Sequence, residues 1–236
     1  MLSTLYKERQ SLIWWLLSAS IAAALKWHFS AADSAALEWM LRPLSLLLRL
    51  LTGWHFQQTP EGDWESGDAG IVLVKACAGI NFMIMSFLGW CWLARPQAQR
   101  APTFAIALEW PLLFAASLVF AWLAALLVNT ARIIAVVKCQ PLLEHWIAPA
   151  EAHRLIGLII YLPALTAQLL LRNRQRWDIA ALLAAAIYVG MMLIVPLLTG
   201  NAAASPGQYR EHALLVLVLA LPLAVAGFAG RRYRRR

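Results

Sequence analysis

Cys77, Arg132 and His153 are the residues of this chain whose types could together form a nucleophilic site. Cys77 lies in "VKACAGI", with Lys75 two positions before it and Gly79 two after. A thiol attacks as its thiolate, and a nearby cation or the unpaired N–H groups of a helix N-terminus favour that form. "AGIVLVKA" reads as a short strand leading to a helix, so Cys77 is expected at the helix start. Lys75 would share a strand face with it, and Gly79 would let backbone or substrate come close. Arg132 stands in "LLVNTARIIAVVK". Asn129, three residues earlier, either shares its helical face or caps a helix start, where it could hold the guanidinium. His153 opens the apolar run of "PAEAHRLIGLII", four residues before Gly157, which permits close helix packing. A thiol with an imidazole in reach is the nucleophile-and-base pair of acyl transfer. A guanidinium beside them can steady the thiolate or the oxyanion of a tetrahedral intermediate. Each residue also has an ordinary structural account: a small buried hydrophobe, a snorkelling arginine, an interfacial histidine. His28, His55, His145 and His212 fit that last description equally, and His145 is the rival base.

What could bring three such distant residues together is a membrane. The chain has 236 residues, 61% hydrophobic and 14% charged, with 12 tryptophans, whereas soluble domains are nearer a quarter charged. Apolar runs predict six crossings, at about 11–29, 78–94, 104–127, 154–171, 178–198 and 213–229. With these six, Lys7, Arg9, Arg95, Arg100, Arg172, Arg174, Arg176 and the five arginines of "RRYRRR" fall on one side. The positive-inside rule makes that side, and both termini, cytoplasmic. Glu61, Asp63, Glu65, Asp68, Glu144, Glu151 and Glu211 fall on the other. Cys77, Arg132 and His153, 55 and 21 residues apart, then share one depth at the outer face. The arginine tail reads as a partner for anionic membrane lipid. Without a basic face on a soluble domain, the net charge of +8 does not point to nucleic acid. Cys77, Cys91 and Cys139 make neither a metal spacing nor a C-x-x-C pair.

The fold class is therefore all-α integral membrane: about six transmembrane helices, an interfacial or re-entrant segment and a short extracytoplasmic β-hairpin. The segment is 35–52, where Arg42, Pro43 and Arg49 interrupt an apolar run and a seventh crossing would spoil the charge asymmetry. Gly62 and Gly67 supply turns for the hairpin. The first crossing resembles a signal peptide, but Lys26, Trp27 and His28 before "SAA" argue for its retention. Glu109 lies near the inner edge of the third crossing, before a kinking Pro111. Trp39, Trp54, Trp64 and Trp146 fit the aromatic belt, and the acidic residues 61–68 read as a solvated loop tip.

"ACAGI" at 76–80, "NTAR" at 129–132 and the histidine opening the next helix resemble, in order and spacing, the three motif blocks of the exosortase/archaeosortase family. "CAGINF" is most similar to the exosortase K branch. The resemblance covers roughly residues 1–175, a catalytic membrane core, and leaves 176–236 as a two-helix extension with a basic cytoplasmic tail. It implies a multi-span cysteine peptidase or transpeptidase of the inner, plasma membrane. Its partners would be exported proteins with a C-terminal sorting signal: a short motif, a transmembrane helix and a basic cluster. It further implies Cys77 as nucleophile, Arg132 as transition-state stabiliser and His153 as acid/base, with no metal or organic cofactor. Asn129 matches a motif position without an assigned role. The chain departs from the pattern at Ala78, where many exosortases have serine, and at Phe82, where a more polar residue is expected.

Two other classes compete. A membrane thiol oxidoreductase needs paired reactive cysteines on the outer face, where only Cys77 and Cys139 fall. A transporter-like, non-enzymatic subunit needs charges at mid-membrane in several helices, whereas here the polar residues gather at one face. No G-x-S-x-G stretch favours a serine protease.

Overall fold

The computed structural model describes residues 2–95, 103–143, 145–171, 176–204 and 206–233. Arg100, Glu144, Arg172, Arg174 and the last three arginines of the tail lie outside them. Nine helices are seen among the described residues: α1 (Leu2–Ala31), α2 (Glu38–Thr52), α3 (Ile80–Ala94), α4 (Thr103–Leu143), α5 (Pro149–Leu170), α6 (Trp177–Val189), α7 (Val195–Leu198), α8 (Asn201–Ala204) and α9 (Pro206–Tyr233). A π turn, Gly190–Ile194, joins α6 to α7. Six segments are long and apolar enough to cross a bilayer: Glu8–Ala31, Lys75–Ala94, Glu109–Leu143, Pro149–Leu170, Trp177–Leu198 and Tyr209–Arg232. They correspond to the six expected runs, and the architecture is that of a multi-pass, helical membrane protein.

The outward faces of these helices carry exposed Leu16, Leu123, Leu127, Val218 and Val225. In water such surfaces would drive aggregation; hydrocarbon is their natural solvent. α3 is the most enclosed span. It touches α1, α4, α5 and α6 and buries Phe82, Met83, Ile84, Met85 and Phe87. α6 packs chiefly on α9 and α5.

The third expected crossing is too short. Helix α4 does not stop at 127 but continues to Leu143, and at about 1.5 Å per residue it is roughly twice as long as a bilayer's hydrocarbon core is thick. The polar residues Asn129, Thr130 and Arg132 cause no break, because their side chains bond to the helix itself or to neighbouring elements without displacing its backbone hydrogen bonds. Thr130 Oγ1 donates back to the Leu126 carbonyl at 2.7 Å. Asn129 and Arg132, three residues apart, meet on one face. Asn129 thus sits inside a helix and caps no start.

Within residues 35–52, Glu38–Thr52 forms α2, a short amphipathic helix with Met40, Leu41, Leu44, Ser45 and Leu48 buried on one face. It packs against α4, a 3₁₀ turn at Lys75–Ala78 and the small sheet. It ends at Gly53 in a left-handed cap, φ +79°. The expected hairpin is present as β2 (Trp64–Ser66) with β3 (Ile71–Leu73), and a two-residue strand, β1 (Gln57–Gln58), extends it to three antiparallel strands. The first turn needs Gly62 twice over: its φ is +86°, and a Cβ there would meet the Ala35 backbone at 2.7 Å. In the second turn the left-handed residue is Gly70, φ +63°, and not Gly67. At the sheet's edge, the backbone N–H and ring of His55 hydrogen-bond Asp68 and hold its carboxyl below the usual range. Trp39 and Trp146 are exposed, whereas Trp54 and Trp64 pack partly against the core.

Candidate functional site

Antiparallel helices bring alternate ends together. The C-terminal part of α1, the start of α3, the C-terminal third of α4, the start of α5, the π turn after α6 and the second turn of α9 meet around one cavity of about 460 Å³. Arg132 and His153 line it, as do Lys75 and Gly79.

Arg132 is only 8% exposed, and a guanidinium at that depth needs partners. It finds them along one face of α5, where His153, Gly157 and Tyr161 recur every four residues, the spacing that stacks side chains on a helix. One terminal nitrogen, NH2, contacts His153 Nε2. The other, NH1, donates to the Tyr161 hydroxyl at 3.4 Å and to Asn129 Oδ1 at 3.3 Å. Between them, Gly157 leaves room for the stem: a Cβ there would stand 3.1 Å from Arg132 Nε, which has no hydrogen-bond partner. A guanidinium has no acceptor, so His153 accepts at Nε2 and, being neutral, carries its proton on Nδ1.

Asn129 joins this pair to the thiol's segment. Tyr161 donates to its Oδ1 at 2.7 Å, which fixes the amide so that Nδ2 donates to the Cys77 carbonyl. The close approach depends on Gly79. Its φ is +73°, and a Cβ there would lie 2.9 Å from Asn129 Cγ. Gly79 ends the 3₁₀ turn and starts α3, so Cys77 stands just before that helix, within a turn.

The structure thus brings Arg132, His153 and Asn129 into one hydrogen-bonded group and ties Cys77 to it through the main chain. The half-buried thiol faces the sheet, with Sγ 4.0 Å from the Val72 carbonyl. Among the described contacts it makes none with His153 or Arg132. Its neighbours Ala76 and Gly79 line the cavity. Lys75 is not on a strand and shares no strand face with Cys77. It begins the 3₁₀ turn, its Nζ donates to the Ser30 carbonyl at 2.7 Å and its N–H to Ser34 Oγ at 2.9 Å. These bonds anchor the turn to the end of α1 and to the α1–α2 connection. His145 is exposed in the turn before α5 and does not line the cavity, whereas His153 does. Glu109 is exposed. Cys91 is buried, Cys139 is exposed, and all three cysteines are free thiols.

Sequence reasoning missed Tyr161, although its four-residue spacing from His153 and Gly157 was there to be read. It also missed Lys26, Asn81, Arg154, Tyr188, Met192 and His212, which line the cavity from helices far apart in sequence and carry no local signal. The last three come from beyond residue 175. No family model, no curated protein and no solved structure matches this chain.

Proposed function

We propose that this chain is a membrane-embedded cysteine peptidase or transpeptidase of the exosortase kind. It removes the helix and basic tail of exported proteins at the outer face of the plasma membrane, with its own termini in the cytoplasm. The observation that carries this reading is the hydrogen-bonded group of Arg132, His153 and Asn129, tied through Asn129 alone to the Cys77 carbonyl, at one end of the bundle and beside a cavity. A thiol oxidoreductase draws no support from three unpaired cysteines, one of them buried.

In the proposed reaction the substrate carbonyl enters the cavity and draws the Arg132 guanidinium off His153 Nε2. The freed nitrogen takes the Cys77 proton as the sulfur leaves the Val72 carbonyl and attacks. The S–C bond forms, the carbonyl pair moves onto oxygen, and Arg132 holds that oxyanion. Collapse breaks the C–N bond, and the imidazolium returns the proton to the departing amine. Water, or an amine or hydroxyl of an envelope acceptor, then attacks the thioester and gives its proton to His153; the S–C bond breaks and the imidazolium returns that proton to Cys77. Asn129, fixed by Tyr161, keeps the Cys77 segment in register throughout.

The test compares membrane and secreted fractions of cells carrying the wild-type chain or Cys77→Ala, by mass spectrometry of protein C-termini. Proteins ending in a motif, an apolar helix and a basic cluster should lose that tail with the wild type and keep it with Cys77→Ala, at equal levels of inserted protein. The same truncated termini in both strains would overturn the proposal.

A further inference from the structure

Two cavities meet at Lys26. One holds Arg132 and His153. The other, about 920 Å³, is an apolar trough between α1, α3 and α6, walled by residues such as Ala19, Ala23, Leu88 and Ile187. Lys26 and Ser30 line both.

The first cavity is cationic, and three of its four cations have no acidic partner among the described residues. Lys26, Lys75, Arg132 and Arg154 line it, and among the described residues no carboxylate does. Among the described contacts only Arg154 has an acidic partner, Glu211 at 3.8 Å. Lys26 Nζ bonds Asn81 Oδ1 at 2.8 Å and Lys75 bonds a carbonyl. The partners of Arg132 are neutral, and its buried Nε has none. Cations drawn together in a half-buried pocket repel one another and favour an anion of several acceptor oxygens.

The trough limits what is attached to that anion. From Ala19 to Ser30 it runs roughly 16 Å along α1 at 1.5 Å per residue, about half of a hydrocarbon core. A spanning helix needs the full thickness and a channel about 10 Å wide; a single chain of one leaflet needs half the depth and far less width. We propose that the joined cavities bind an anionic phospholipid, its phosphate between Lys26, Lys75 and Arg132 and one acyl chain along the trough. Lipid and peptide substrate would compete for Arg132, but the lipid's binding does not depend on the chemistry of Cys77.

The test uses the purified full-length protein, stripped of lipid in detergent and titrated with dioleoyl phosphatidylglycerol, dioleoyl phosphatidylcholine or inorganic phosphate. Native mass spectrometry reads the bound fraction, and gel filtration checks each variant for a monodisperse fold. Phosphatidylglycerol should bind saturably at one copy, and phosphatidylcholine at least about tenfold more weakly. Lys26→Gln should remove most of that preference, Lys26→Arg should retain it, and Ala23→Phe, which fills the trough, should weaken the lipid about tenfold or more. Phosphate should compete only at concentrations at least about a hundredfold higher. Equal binding of the two lipids, or indifference to Lys26→Gln, overturns the proposal. Phosphate binding as tightly as the lipid, with Ala23→Phe silent, also overturns it and leaves a free oxyanion as ligand. Cys77→Ala should bind as the wild type does, so failure here and failure of the peptidase reading are separate results.

Discussion

Two polar clusters tie α5 to its neighbours, one to α3 and the other to α4 and the turn before α3, and they are built differently. Deep in the bundle, Ser86 Oγ donates to Gln168 Oε1 at 2.9 Å while Gln168 Nε2 donates to the Ser86 carbonyl at 2.8 Å. Gly89 leaves only enough room for this: a Cβ there would stand 2.8 Å from Gln168 Nε2. Each partner satisfies the other, both are buried, and the cluster acts as an interhelical clamp. At the end of the bundle the second cluster uses the same devices, a glycine at the closest approach and an amide bonded from two sides. It nonetheless leaves Arg132 Nε unpaired and faces a cavity. A closed polar cluster holds helices together. An open one, carrying a charge and an acid–base group, keeps bonding capacity for something that enters.

The contrast is sharpest in activity. Arg132→Lys keeps the charge but loses the planar fork that spans His153, Asn129 and Tyr161. Processing should fall about a hundredfold or more, read from the rate of tail removal, with thermal stability little changed; undiminished turnover would reduce Arg132 to a positional role. Gly79→Ala strikes the hinge between the cluster and the thiol. A Cβ at φ +73° within 2.9 Å of Asn129 should cost about 1–3 kcal/mol in stability, measured by denaturation in detergent, and lower activity with it. Gln168→Leu, in the clamp, should cost about 1–2 kcal/mol and leave the processing rate of the folded fraction unchanged. A loss of rate there would show that the two clusters are coupled.

How much of this was legible in advance varied along the chain for physical reasons. Six crossings follow from run length alone, since twenty apolar residues have few other places to go. The shared end of Cys77, Arg132 and His153 followed from alternation of direction. The end of α4 did not, because "VNTAR" reads as a break when its partners are unknown. Thr130 turned its hydroxyl onto its own helix, and Arg132 folded along α5. The placement of Lys75 failed similarly: a strand pattern continued on paper, while the chain closed into a 3₁₀ turn held by Ser30 and Ser34. Tyr161 reads as one more apolar-run aromatic until α4 is laid beside α5. The residues contributed by α1, α6 and α9 were invisible because only tertiary packing brings them to the cavity.

The central claim of the proposal is that, once substrate frees His153 Nε2, the group built from Arg132 and His153 serves Cys77 as base and oxyanion support. The internal standards are Cys139, exposed, and Cys91, buried. Acid-quenched trapping of substrate acyl groups on membranes, resolved for each cysteine by peptide mass spectrometry, tests it directly. The account predicts a thioester on Cys77 and none on Cys139 or Cys91, and its loss in Arg132→Gln and in His153→Ala. Acylation of another cysteine in place of Cys77, or Cys77 acylation indifferent to both substitutions, contradicts it.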